Sequence, residues 1–207
     1  MAQERIITKD YIISESEIIS RKLHNLENES NDIIYRIWIE PDLIIEIGNN
    51  VILTLYITNY DKKKKQSVVE NVENISLDIN PKLLLNHFDS LKLDKWRDAK
   101  SRIDNKAVSE IHDGHRILIE FSSKEEYRIF SLYGPLTDKS QNSRKTLDLL
   151  NFISDSINPD MHRMEYYQRL SMTNKKVKRR LKDIIEYKDF FKKQIEDNIF
   201  PKMWGDF

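Results

Sequence analysis

Between residues 51 and 58, apolar and polar positions alternate. Val51, Leu53, Leu55 and Ile57 fall on one side of an extended chain, with Thr54, Tyr56 and Thr58 on the other. That two-residue period predicts a half-buried β-strand. Residues 33–39, Ile-Ile-Tyr-Arg-Ile-Trp-Ile, are β-branched and aromatic and predict another strand, interrupted by Pro41. Extended chain resumes from Leu43 to Ile47, and Gly48-Asn49-Asn50 reads as a turn. A charged turn over Asp61–Gln66 leads to a short strand at Ser67–Val72. Further on, Ala107–His112 and His115–Phe121 flank Asp113-Gly114. Asp-Gly supplies the positive φ angles of a type I′ turn, so a two-residue hairpin is predicted there. Ser122–Glu125 turns the chain again, and Tyr127–Tyr133 forms a third strand ending at Gly134-Pro135. Connections this short pair the strands antiparallel.

Elsewhere the apolar positions recur every three or four residues. Ser14 or Ser16 is placed to cap a helix whose face holds Ile19, Leu23 and Leu26. Asn80 followed by Pro81 opens a helix with Leu83, Leu84, Phe88 and Leu91. Trp96 is expected to anchor residues 94–105 to the core. A helix opens at Asn142 or Ser143, carries Leu147, Leu150, Ile153 and Ile157, and is closed by Pro159. A second holds Met161, Met164, Tyr167 and Leu170, and a third runs from Thr173 to near Ile199. The expected fold is α+β: an antiparallel sheet of about five or six strands, with helices from both termini packed on it. An α+β core domain at 1–160 and a docked helical extension at 161–207 complete the expected organisation.

Composition narrows the function. Among 207 residues, 34 basic side chains balance 34 acidic ones, which argues against a general nucleic-acid binder. Cysteine is absent, which removes disulfides, thiol nucleophiles and cysteine-ligated zinc. Four glycines leave little material for phosphate-cradling loops. No apolar run approaches the length of a membrane span. The wealth of Lys, Ile, Asn and Tyr suggests an A/T-rich coding sequence, hence a low-GC bacterium or its phage. A cytoplasmic location is expected. Periplasm or secretion is the alternative, if a signal peptide was removed before Ala2.

Candidate chemistry is sparse. His112 and His115 flank the predicted hairpin turn and face each other across it. Two imidazoles with Asp113 or Glu110 could hold a metal, although an exposed hairpin tip is the plainer reading. Lys175, Lys176, Lys178, Arg179, Arg180 and Lys182 form a basic cluster that could meet phosphates or an acidic partner. Its plainer reading is a solvated helix face, balanced by Asp183, Glu186 and Asp189. Phe190, Phe191, Phe200, Trp204 and Phe207 make the C-terminus aromatic and fit for docking on a core. Nucleophile elbows, phosphate-binding loops and H-E-x-x-H are missing, and no cofactor is expected.

Tyr35-Arg36-Ile37-Trp38, Asp113-Gly114, Glu120, Tyr127-Arg128 and Gly134-Pro135 before a leucine-rich helix form a loose pattern. The stretch from Tyr35 to near Ile157 thereby resembles a group of uncharacterised small bacterial α+β proteins. Ile117 and Tyr133 stand where that group commonly has Trp. The resemblance implies a fold more than an activity. With no enzyme motif, no cofactor loop and no cysteine, binding is favoured over catalysis. The expected function is that of a non-catalytic bacterial protein-binding protein, of the kind that serves as an immunity protein neutralising a cognate toxin. The alternatives are a metal-dependent hydrolase using His112 and His115, and nucleic-acid binding through residues 175–182. A protein partner is expected, and nucleic acid is not.

Overall fold

The computed structural model describes residues 6–9, 11–28, 32–39, 42–63, 65–95, 116–133, 141–179, 181–182 and 185. The chain divides into two compact units, residues 1–157 and 158–207. Among the described residues, the first holds a seven-stranded sheet with helices. Its strands are β1 (Ile6–Lys9), β2 (Ile34–Ile39), β3 (Leu43–Ile47), β4 (Val51–Asp61), β5 (Gln66–Leu77), β6 (Arg116–Ser122) and β7 (Glu126–Tyr133). Their order across the sheet is β1-β7-β6-β2-β3-β4-β5. Every pairing is antiparallel except that of β1, which lies parallel to β7.

Two details correct the sequence expectation. The sheet has seven strands rather than five or six, and it is mixed rather than wholly antiparallel. The extra strand, β1, is four residues at the edge with little buried side chain, so it has no period-two signature to read. β5 is also much longer than the short strand expected, because it follows β4 through the whole hairpin. The strand expected at 107–112, the Asp113-Gly114 turn, Trp96 and Gly134-Pro135 lie outside the described residues. The β6–β7 half of the expected meander is present, turning at Ser123–Glu125.

The two faces of the sheet are covered differently. One presents Tyr35, Ile37, Ile45, Leu53 and Ile119, all fully buried. Helix α2 (Pro81–Leu91) belongs with this face. Asn80 caps it by accepting the Lys82 N–H at 3.1 Å, and Pro81 occupies its first turn, where a missing N–H costs nothing. Its Phe88 ring meets Tyr35 edge-on at 5.2 Å. Leu83, expected on the same face, is exposed instead. Helix α3 (Gln141–Ile157) buries Leu149, Ile153 and Ile157, and its Phe152 stacks on His87 of α2 with centroids 3.7 Å apart.

The opposite face is covered by the N-terminal segment. Helix α1 (Glu15–Ser20) opens with a capping box: Glu17 N–H donates to Ser14 Oγ, and Ser14 N–H to Glu17 Oε2. It ends by Ser20, and Lys22 adopts a left-handed φ of 55°. Leu23 and Leu26 therefore lie beyond the helix expected to carry them. Both still pack on sheet residues: Leu23 against the Trp38, Ile44, Tyr56 and Leu118 cluster, Leu26 with Tyr127 and Ile129.

In the second unit, α4 (Pro159–Ser171) starts at a proline expected to close α3. Asn158 adopts a left-handed φ of 49°, and its side chain accepts from Met161 N–H, so Pro159 occupies the first turn of a new helix. Tyr166 and Tyr167 are buried and meet edge-on at 5.8 Å. Asn174 then accepts from the N–H groups of Lys176 and Val177, opening a further helical stretch at residue 175. The aromatic tail from Phe190 to Phe207 lies outside the described residues.

Phe88→Ala should remove the ring that α2 inserts against Tyr35. A loss of about 3–5 kcal/mol is expected from a buried Phe, read as a lower midpoint in urea unfolding. Leu83→Ala on the exposed side of α2 should cost less than about 0.5 kcal/mol.

Candidate functional site

One charge interrupts each of three apolar strands: Arg36 in β2, Glu46 in β3 and Glu120 in β6. The register sets them side by side. Arg36 is opposite Glu46 in the β2–β3 pair and opposite Glu120 in the β2–β6 pair, so the three form one rung across adjacent strands. Alternation places Trp38 on the same face, two residues along β2. Tyr127 joins it from β7, one step diagonal to Glu120, whose direct partner there is Ile129.

The side chains complete a closed network. Arg36 Nε and Nη2 donate to Glu46 Oε2 at 2.9 and 2.6 Å, and Nη1 donates to Glu120 Oε1 at 3.3 Å. Arg36 Nη2 also donates to the His24 carbonyl at 3.0 Å, which ties the N-terminal segment to the sheet. Glu120 accepts twice more, from Trp38 Nε1 at 2.6 Å and from Tyr127 Oη at 3.0 Å. The His24 ring comes within 3.8 Å of Glu46 Oε1. Beside the network, Ser122 Oγ donates to the Leu26 carbonyl, and the Arg21 guanidinium lies 4.6 Å from the Tyr56 ring centroid.

Arg36 and Glu120 are fully buried. Burying these charges costs desolvation, which is offset only where geometry is good and lone pairs are filled. Here the guanidinium, whose rigid fork carries five donors, spans two carboxylates and a carbonyl. Glu120 is occupied by three donors, so it offers no free base to a solute. The arrangement fits a clamp between sheet and cover better than a catalytic centre. Burial, then the Glu120 charge and hydrogen bond, push the Tyr127 phenol well above its ordinary value.

The sequence-derived sites fall elsewhere. His112 and His115 lie outside the described residues, as does Arg180. Lys175, Lys176, Lys178, Arg179 and Lys182 are exposed, and Val177 among them is buried. Among the described residues, no group of three or more His, Asp or Glu converges as a metal site. Glu46 was not among the sequence candidates. A single charge inside each of three apolar runs, one basic and two acidic, is the signal that could have found the rung.

Arg36→Met should leave two buried carboxylates without their cation and cost about 3–5 kcal/mol in urea unfolding. Replacing all three charges together, as Arg36→Met with Glu46→Leu and Glu120→Leu, should recover part of that loss, because no buried charge remains. The Tyr127 phenol contributes pH-dependent stability of definite sign. A raised folded value means the contribution is full below the ordinary 10.0 and is lost as pH rises above it toward the folded value. Tyr127→Phe should flatten the alkaline limb of stability against pH, measured by denaturant midpoints.

The family model described as "Transcription factor subunit Med10 of Mediator complex" matches residues 118–207, a little under half of the chain. The matched stretch takes in nearly all of β6, then β7, α3 and α4, and leaves residues 1–117 outside. No curated protein and no solved structure matches the chain. The family match corrects the sequence-level reading. The similarity it finds is to a subunit of a eukaryotic transcription complex, not to a group of uncharacterised bacterial proteins. It overturns the bacterial or phage origin and the immunity role, together with the metal-hydrolase and nucleic-acid alternatives. It also overturns the bacterial cytoplasmic and exported locations, since Mediator subunits are nuclear. No helix among the described residues is long and apolar enough to cross a membrane.

Proposed function

We propose that the chain is a protein-binding subunit of a Mediator-type transcription assembly, working in the nucleus and meeting its neighbours through residues 118–207. The observation that carries this reading is the match of those residues to the Med10 family model. The helical stretch after Asn174 supports it. There Val177 is buried, while Lys175, Lys176, Lys178 and Arg179 are exposed, and Arg180 and Lys182 extend the charge in sequence. Such a basic face complements an acidic surface on a partner subunit and gives orientation and on-rate more than raw affinity. In this reading the extension of residues 161–207 carries the partner-binding face, and the α+β part of residues 1–160 supplies the folded scaffold. Arg36, Glu46 and Glu120 then act in stability, not in contact with partners.

The full chain, tagged and expressed in its own cells, should co-elute in stoichiometric amounts with other Mediator subunits. Chemical cross-links should concentrate in residues 118–207. Reversing Lys175, Lys176, Lys178 and Arg179 to Glu should weaken that association about tenfold, equal to about 1.4 kcal/mol, with the larger effect at low salt. A folded chain that elutes alone, with no transcription subunit in its fraction, would overturn the reading.

A further inference from the structure

β1 is held differently from the rest of the sheet. Ile6 is 59% exposed and Ile7 51%, so its side chains bury little apolar area. What holds it is the parallel backbone ladder from Glu126 to Ile129, in which the Ile6 N–H donates to the Glu125 carbonyl at 2.9 Å. An ion pair closes its C-terminal end, with Lys9 Nζ 2.6 Å from Glu27 Oε2. Backbone hydrogen bonds do not depend on side-chain identity, and each contributes modestly against the entropy of ordering the strand. β7, in contrast, is firmly built in: Tyr127, Ile129 and Phe130 are all buried. It also runs on to Tyr133, whereas β1 accompanies it only as far as Ile129. A rigid edge therefore carries a short, weakly held occupant.

We propose that the outer edge of β7 is a strand-accepting site, filled in cis by β1, that takes an extended segment of a partner polypeptide. The segment runs parallel to β7 and places a Lys or Arg opposite Glu27. β1 itself supplies the template. Its ladder defines the direction, and Lys9 defines the one position where charge is read. Glu27 disfavours an acidic residue at the Lys9 position. The cis strand has the advantage of high effective concentration, so a competing segment must gain contacts that β1 lacks. A strand longer than four residues gains them along the remainder of β7. Strand addition of this kind draws affinity from the main chain and specificity from a few side-chain positions. The site goes beyond the Mediator reading and does not depend on it.

The test uses the full chain carrying Thr8→Pro. In the parallel register the Thr8 N–H points to β7, as the Ile6 N–H does, so proline removes a ladder donor. The probe is a labelled peptide with the sequence of residues 1–10. The variant is expected to bind it at least about tenfold tighter than the unaltered chain does. Amide shifts should be confined to Ser123–Ile129. Adding Glu27→Lys should weaken the peptide about tenfold, and a peptide carrying Lys9→Glu should restore it. If Thr8→Pro does not fold, Lys9→Glu in the chain loosens β1 without touching the backbone and is read the same way. A folded variant that binds no more tightly than the unaltered chain overturns the site. So does peptide binding that ignores the charge swap. A concentration-dependent dimer of the unaltered chain with exchanged β1 strands overturns the partner assignment in favour of a second copy.

Discussion

The guanidinium of Arg36 joins three parts of the molecule that chain connectivity alone would leave apart. It is hydrogen-bonded to β3 through Glu46, to β6 through Glu120 and to the N-terminal cover through the His24 carbonyl. Hydrophobic burial would press these parts together without choosing a register. A one-residue slip of β2 would turn Arg36 to the opposite face, where Tyr35, Ile37 and Ile45 pack, and leave both carboxylates without their cation. The buried rung therefore makes wrong alignments costly, whatever its net contribution to stability.

The two faces of the sheet consequently play different parts. The face under α2 is aliphatic and aromatic, with Tyr35 touching both Phe88 and Phe121. The face under residues 11–28 mixes Trp38, Tyr56 and Ile44 with the polar rung. Its cover is one short α-helix and a 3-10 turn joined by irregular chain, so the His24 carbonyl in that chain and the Leu26 carbonyl at the start of the turn accept from sheet side chains. An irregular segment can cover a buried charge because its own polar groups take part in the network.

Much of the central sheet was legible in the sequence. Alternation from Val51 and the turn at Gly48–Asn50 both identified strand structure, and Asn80-Pro81 marked the start of α2. The period-two pattern nevertheless implied one solvated face of β4, whereas Thr54 and Tyr56 are buried too. What covers them comes from residues far away in sequence, which no local pattern encodes. β1 escaped notice because backbone pairing at an edge leaves no hydrophobic signature. α3 does end ahead of Pro159, and because Asn158 caps the next helix within a single residue, the same proline also opens α4. Arg36, Trp38, Glu120 and Tyr127 stood out in the sequence as parts of a family-like pattern. Their meeting point depends on strand order, and Glu46, the remaining member, carried no motif at all.

The separation of Arg36 and Glu120 by 84 positions has a consequence for synthesis. On the ribosome, β2 to β5 emerge long before β6. A nascent chain at that stage can form the Arg36–Glu46 pair, but its β2 edge is open and its arginine lacks the second carboxylate. Closing a loop of that length is entropically slow. During that interval the partly built sheet exposes an unpaired strand rich in isoleucine and aromatics, the type of edge that invites pairing with another chain. The arginine lessens the hazard, because an intruding strand would have to bury it without a matching acid. The charge that later locks the register thus also guards the growing edge until the correct strand arrives.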